Sequence, residues 1–364
     1  MRALFHLRYP WRHIIASCSR FASPRLATSI MAPNGIAQAA QTADHVAVNK
    51  DAVVAHFLTQ FSDIQSHFDA QTDVFETQGK SFLQDTVARF VDRKEPILIV
   101  LPGFPTKTPN HADKVLGVLP DRAEEIALAR LERFCLSIED VYPVGCKVTI
   151  FSDGRVFGDI VGAPLEAIRA YKNGLKAMVK DAGYTHIQFD GLENYTKTDN
   201  PVQEVLERFG VNEMDMDARI KNEPDIGNNF RSFSKFMERD MAPRWKGMSE
   251  AEMRKGCDDV AKQMMLRNVG FSMLVGEEYS HAVRVSIHCY NNAGPKFGIH
   301  LIPQESGKPR TPWHSVICED LDGTPHTVDH KDVDKSKYEL VYKRGRKWGY
   351  VERPGCTPEE IKQW

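Results

Sequence analysis

Three polar side chains alternate with apolar ones in the string VRVSIH: Arg284, Ser286 and His288 between Val283, Val285 and Ile287. On a strand, period-two alternation puts the three on one face. An arginine, a hydroxyl and an imidazole so aligned can grip an anion and supply a group that titrates near neutrality. Lys296 follows in the next connection, close enough in sequence to add charge, and His314 lies in TPWHSV beside Trp313. A second candidate is the loop LPGFPTKTPN, Leu101 to Asn110. Its two prolines and glycine make a rigid turn. Lys107 within it is either a preorganised contact for an anion or carbonyl, or a solvated surface lysine. The chain has no G-x-x-x-x-G-K-[ST] and no G-x-G-x-x-G, which argues against a phosphate-loop nucleotidase and a dinucleotide-binding enzyme. H-x-D strings occur at His67/Asp69, His111/Asp113 and His330/Asp332, but none lies in the strand context that an iron facial triad needs. No metal site is expected.

These side chains must be positioned by the elements around them. The run from Val46 to Phe90 has helical spacing in Val53, Val54, Phe57, Leu58 and Phe61. PILIVLPG, from Pro96, reads as a strand buried on both faces. A helix follows, opened by Asp121 with Glu124 three residues on in a capping box and carrying Leu128, Leu131 and Cys135 on one face. CKVTIFSDG is a second strand, ending at Asp153. A helix from Pro164 to Asp181 stops at Gly183, and THIQFDGL is a third strand, ending at Asp190. Strand, helix, strand, helix, strand implies right-handed βαβ units and a parallel, Rossmann-like α/β sheet flanked by helices. Ligands of such sheets bind outside the carboxyl ends of the strands. The Leu101–Asn110 loop, Ser152 to Gly154, and Asp190 are therefore expected along one edge. The middle of the chain is charged and helical, with a second capping box at Ser249 and Glu252 before a helix ending near Asn268. An additional C-terminal β region is expected from HAVRVSIHCY, KFGIHLIP and a hairpin turning near Gly345.

At 42% hydrophobic and 26% charged residues, the 364-residue chain reads as an ordinary globular protein. Its formal net charge of -2 provides no global field for nucleic acid or an anionic membrane. No apolar run approaches the roughly 18 residues of a spanning helix. The seven cysteines (18, 135, 146, 257, 289, 318 and 356) are scattered without C-x-x-C, which points to a reducing compartment. Residues 1–45 are set apart as an extension. Five arginines and no acid before Asp44 give it the composition of a mitochondrial presequence, so the cytoplasmic expectation has a mitochondrial alternative. Residues 46–364 are expected to form the catalytic domain.

Taken together, LPGFPTKTPN, KVLGVLPDRAEEIAL, the stretch from Tyr142 to Asp159 with its FSDG turn, VRVSIH, KFGIHL and TPWH resemble the pyoverdine/dityrosine-biosynthesis family. This is the family of isocyanide synthases and of the fungal spore-wall dityrosine protein. The resemblance runs from about Val46 to the end.

It implies a reaction in which the amino group of an L-amino acid, tyrosine, tryptophan or an aliphatic one, combines with C2 of ribulose 5-phosphate. That carbon becomes the isocyanide carbon. No cofactor is implied. The spore-wall member suggests an N-formyl product instead, and a non-catalytic binding protein of the same fold is a further alternative. Under this reading Arg284, with Lys296 or Lys107, holds the phosphate, with Ser286 and Asn110 as further substrate contacts. His288 and His314 carry protons. Asp153 or Asp190 orients a histidine or holds the substrate ammonium, and Lys107 acts electrostatically rather than as a Schiff base. Many relatives are fused to, or encoded beside, an iron/2-oxoglutarate oxygenase. This chain has no room for one after Trp364, so it is expected to hand its product on.

Overall fold

The computed structural model describes residues 49–66, 73–288, 291–304 and 310–354. Five strands form one wholly parallel sheet: β1 (Ile97–Gly103), β2 (Cys146–Ser152), β3 (Ile187–Gly191), β4 (Val283–Ser286) and β5 (Lys296–Gly298). Their order is β3-β2-β1-β4-β5. The chain moves outward in one direction from β1, then returns to add β4 on β1's other side. The switch point therefore lies between β1 and β4, where the crevice at the carboxyl ends of an open parallel sheet opens.

Ten helices accompany this sheet among the described residues: α1 (Lys50–Ser62), α2 (Lys80–Arg93), α3 (Arg122–Glu139), α4 (Gly154–Phe157), α5 (Leu165–Asp181), α6 (Pro201–Arg208), α7 (Met216–Asn222), α8 (Pro224–Asp240), α9 (Ala242–Trp245) and α10 (Glu250–Glu278). Side chains alternate across the strands, so each face has its own core. On one face Ile97, Ile99, Leu101, Val148, Ile150, Val283 and Val285 pack with α1, α2, α3 and α5. On the other, Val100 and Phe151 pack on Phe271, Leu274 and Val275 of α10.

Both capping boxes form, at Asp121/Glu124 and Ser249/Glu252. The second helix, however, does not stop near Asn268; α10 runs on to Glu278. Its interior glycines serve close packing. A β-carbon on Gly270 would lie 3.0 Å from Leu206, and one on Gly276 would lie 3.1 Å from the Arg284 guanidinium.

The C-terminal β region divides in two. VRVSIH and KFGIHL supply β4 and β5 of the main sheet, and the described residues of their connection include no helix. The remainder is a separate four-stranded sheet of β6 (Val316–Glu319), β7 (Pro325–Val328), β8 (Tyr338–Lys343) and β9 (Arg346–Glu352), in the order β7-β6-β9-β8. Here β8 and β9 make the expected hairpin, turning at Arg344 and Gly345, both with positive φ as a tight hairpin turn requires. β6 and β7 had no reading in the sequence.

Among the described residues no helix is long and apolar enough to cross a membrane.

Candidate active site

Sheet register assembles the charge. Arg284 of β4 stands directly opposite Lys296 of β5, and Ser286 opposite Gly298. Directly paired residues put neighbouring side chains on one face, and like charges so paired repel. Both belong to the α10 side of the sheet, where Arg284 Nη2 donates to Ser272 O over 3.3 Å. Burial, reinforced by the Arg284 charge, brings the Lys296 ammonium down to about 7. His288 lies two residues beyond β4, its backbone N–H donating to Ser286 Oγ over 3.2 Å. Burial, then the charges of Lys296 and His314, holds its imidazole well below the ordinary histidine range. Arg284, Lys296, His288 and His314 thus form one electrostatically linked cluster. Two basic side chains in register beside two imidazoles give this part of the site the sign that an anionic ligand needs.

His314 ends a short turn, Pro312–His314, ahead of β6. Its Nδ1 lies 2.8 Å from Thr311 Oγ1, and its Nε2 lies 3.5 Å from Asp240 Oδ2. Phe236 meets the ring edge-on at 5.5 Å. Asp240 and Phe236 both come from the end of α8.

The loop after β1 joins these parts. Thr108 N donates to Trp313 O over 3.1 Å, and Thr108 Oγ1 donates to Asp240 O over 3.3 Å. Asn110 Nδ2 donates to Arg239 O over 2.9 Å. Phe104 holds φ at 54° and packs 5.2 Å from the Trp313 ring. That is strained backbone for a bulky residue, costing on the order of 1–2 kcal/mol. Gly154 is required by close approach here, since a β-carbon would sit 2.2 Å from Pro105 O.

The sequence and the fold both find counterparts among known proteins. The family model described as pyoverdine/dityrosine biosynthesis protein matches residues 87–341. The chain belongs to the pyoverdine/dityrosine biosynthesis family. It is 33% identical over 300 residues to isocyanide synthase xanB of Aspergillus fumigatus, covering 76% of this chain but only 39% of that protein. It is 34% identical over 239 residues to the L-tryptophan isonitrile synthase AmbI2 of Fischerella ambigua, covering 65% of this chain and 72% of that one. The spore wall maturation protein DIT1 of Saccharomyces cerevisiae is 27% identical over 362 residues, covering 83% and 67%. The crystal structure of PvcA from Pseudomonas aeruginosa superposes with a TM-score of 0.74 at 28% identity, covering 83% of this chain and all of that one.

Within this pyoverdine/dityrosine-family fold, the residues singled out by sequence separate into two groups. Arg284, Ser286, Lys296, His288 and His314 come together. Lys107 does not present a surface charge. Its side chain is fully buried, 2.9 Å from Asp121 and 2.8 Å from Glu124, and its ammonium donates to Pro312 O over 3.0 Å. Burial alone would lower its pKa, but Asp121 and Glu124 together hold it above the ordinary lysine value. Two carboxylates and one carbonyl surround its ammonium, so the phosphate contact expected of it is replaced by a tie between the loop, the α3 N-terminus and the His314 turn. Asp190 is likewise occupied. Its carboxylate accepts from Gly191 N, Asn194 Nδ2, Tyr195 OH and Tyr279 OH. Burial pushes its pKa up, but these donors outweigh that and hold it below the usual carboxylate range. Neither histidine orientation nor ammonium binding is open to it, because its lone pairs are filled. Asn110 is spent on the loop clamp.

Asp153 directly follows β2, its Oδ1 buried and without a hydrogen-bond partner among the described residues, and burial pushes its carboxyl up to about 7. It keeps the properties of a proton-transfer group.

Asp240 and Thr311 were missed in the sequence. Asp240 sits in an ordinary helical string, MERD, and no local signal marks it. Among the described residues, no group of three or more His, Cys, Asp or Glu is arranged to hold a metal ion. His67 and Asp69 lie outside the described residues.

Proposed function

We propose that this chain is an isocyanide synthase that converts the amino group of an L-amino acid, tyrosine or tryptophan before the aliphatic ones, to an isonitrile with ribulose 5-phosphate as carbon donor. The observation that carries this reading is the registered Arg284–Lys296 pair beside His288 and His314 at the switch point. A sugar phosphate would bring a dianion to an arginine and a lysine held in register on one face. The same cluster supplies imidazoles for the proton transfers that the chemistry requires, as the amine loses a proton on attacking C2 and the carbonyl oxygen gains one. Relatives named isocyanide or isonitrile synthases support the reading. The chain spans only 39% and 21% of the two Aspergillus fumigatus relatives xanB and crmA. An iron/2-oxoglutarate oxygenase acting on the isocyanide acid is the partner proposed.

Similarity to the spore-wall protein DIT1 favours a second reading, an N-formyl amino acid product. One assay separates the two. The protein is incubated with ribulose 5-phosphate labelled at C2 and with tyrosine, tryptophan, valine or leucine, and products are read by mass spectrometry. Label in an isonitrile supports the main reading, and label in a product heavier by one water supports the second. Absence of amino-acid-dependent sugar consumption overturns both.

A further inference from the structure

Asp240 closes the last turn of α8 and is only 3% exposed. Among the described residues its Oδ1 has no hydrogen-bond partner, while its Oδ2 lies 3.5 Å from His314 Nε2. A buried carboxylate with an unsatisfied oxygen is costly, by about 1–3 kcal/mol or more. It is retained where it serves a neighbour. His314 is the more exposed of the two, with 26% of its side chain accessible against 4% for Asp240. On its other side the imidazole meets Thr311 Oγ1 at 2.8 Å. The three groups are therefore in a row: hydroxyl, imidazole, buried carboxylate.

The donor and acceptor inventory assigns the protons. A carboxylate only accepts, so the Asp240 charge 3.5 Å away favours the hydrogen on the ring nitrogen that faces it. Nδ1 of the neutral ring is then the acceptor, and the Thr311 hydroxyl donates to it. We infer that Asp240 is a positioning residue that fixes His314 as its Nε2–H tautomer, and that the Thr311 hydroxyl is the port through which His314 exchanges protons with substrate. In the forward step the Thr311 O–H bond breaks as its proton passes to Nδ1. The Thr311 oxygen meanwhile takes a proton from the substrate ammonium, leaving a neutral amine and an imidazolium beside the Asp240 carboxylate. The reverse step returns the proton, and the hydroxyl is unchanged over the cycle. Thr108 and Asn110 belong to the same device. They hold the backbone oxygens of Asp240 and Arg239, and so fix the end of α8 against the His314 turn.

The kinetic arm of the test rests on the isocyanide synthase reading; the spectroscopic arm does not. In the full chain with nitrogen-15-labelled histidine, the neutral His314 ring should show a protonated Nε2 and an unprotonated Nδ1. Asp240→Asn should shift the proton toward Nδ1, and Thr311→Val should move the Nδ1 resonance while leaving the tautomer. Turnover should fall by about 100-fold in Asp240→Asn, with KM for both substrates within about 3-fold, and Thr311→Ser should recover what Thr311→Val loses. A wild-type His314 that carries its proton on Nδ1 overturns the inference, whether or not any variant folds. So does a Thr311→Val protein with wild-type turnover. An inactive wild type with the expected tautomer would count against the proposed reaction and in favour of this row of groups.

Discussion

Lys296 and Asp153 carry opposite charges when ionised, and burial disfavours both. For Lys296 the ammonium value falls from 10.5 to about 7. Between those values the unfolded chain holds a proton that the native chain lacks, so this residue makes stability rise with pH across that window. An anion bound beside it reverses the preference and draws the proton back. Binding of inorganic phosphate or a sugar phosphate should therefore take up protons, and should weaken as pH rises through about 7. Calorimetry in buffers of different ionisation enthalpy measures this directly. An affinity that stays flat from neutral to alkaline pH would refute the assignment of Lys296 to the anion. For Asp153 the carboxyl rises from 3.8 to about 7. There the native chain holds a proton that the unfolded chain lacks, and stability falls as pH rises from 3.8 to about 7. Asp153→Asn removes that penalty. It should be more stable than wild type above neutral pH by on the order of 1–3 kcal/mol in denaturant titrations. It should also turn over more slowly if Asp153 moves a proton. A variant no more stable than wild type would mean that the carboxyl is better solvated than its buried Oδ1 implies.

Among the elements, the N-terminus of α3 does more than begin a helix. Its capping box is legible from Asp121 and Glu124 alone, because the reciprocal hydrogen bonds are local. That the same two carboxylates also receive Lys107 depends on the loop after β1 folding back over them. Burial pushes Asp121 up to about 7 even against the Lys107 charge, and the neighbouring Glu124 adds to the rise. Two buried acids sharing one cation depend on it. Lys107→Met should cost about 3–5 kcal/mol of stability, since it strands both carboxylates. A triple replacement that also neutralises Asp121 and Glu124 should recover much of the loss. Unfolding midpoints of the two variants provide the check; equal destabilisation in both would show that packing, not charge, is at stake. Helix α10 shows the converse problem for sequence reading. Its glycines at 270 and 276 look like stops, yet close approach of Leu206 and Arg284 requires small residues there.

At the scale of the molecule, the parallel sheet gathers the proposed anion site from chain segments that lie far apart. β4 is inserted beside β1 only after the long helical excursion from α6 to α10. A sugar phosphate at about 100 times its dissociation constant should stabilise the native state by about 2.7 kcal/mol. It should raise the melting temperature by about 2–4 °C. Thermal shift measurements should show this rise in wild type and lose it in Arg284→Ala. A variant retaining the full shift would place the phosphate elsewhere.

Local rules were sufficient for much of this protein. Periodicity, capping boxes and the Pro and Gly punctuation marked β1 to β3, α3 and α5, because those signals are written within a few residues of one another. The same one-face alternation grouped Arg284 with Ser286, and a family resemblance supplied the chemistry to expect. Three matters were decided only in three dimensions. The joining of β4 and β5 to the main sheet depends on non-local strand pairing, which no window of sequence contains. The inward turn of Lys107 and the filling of Asp190 depend on partners brought from other segments. Asp240 became visible only when α8 folded against the His314 turn, since a carboxylate in a helix has the same local signature whether it meets water or an imidazole.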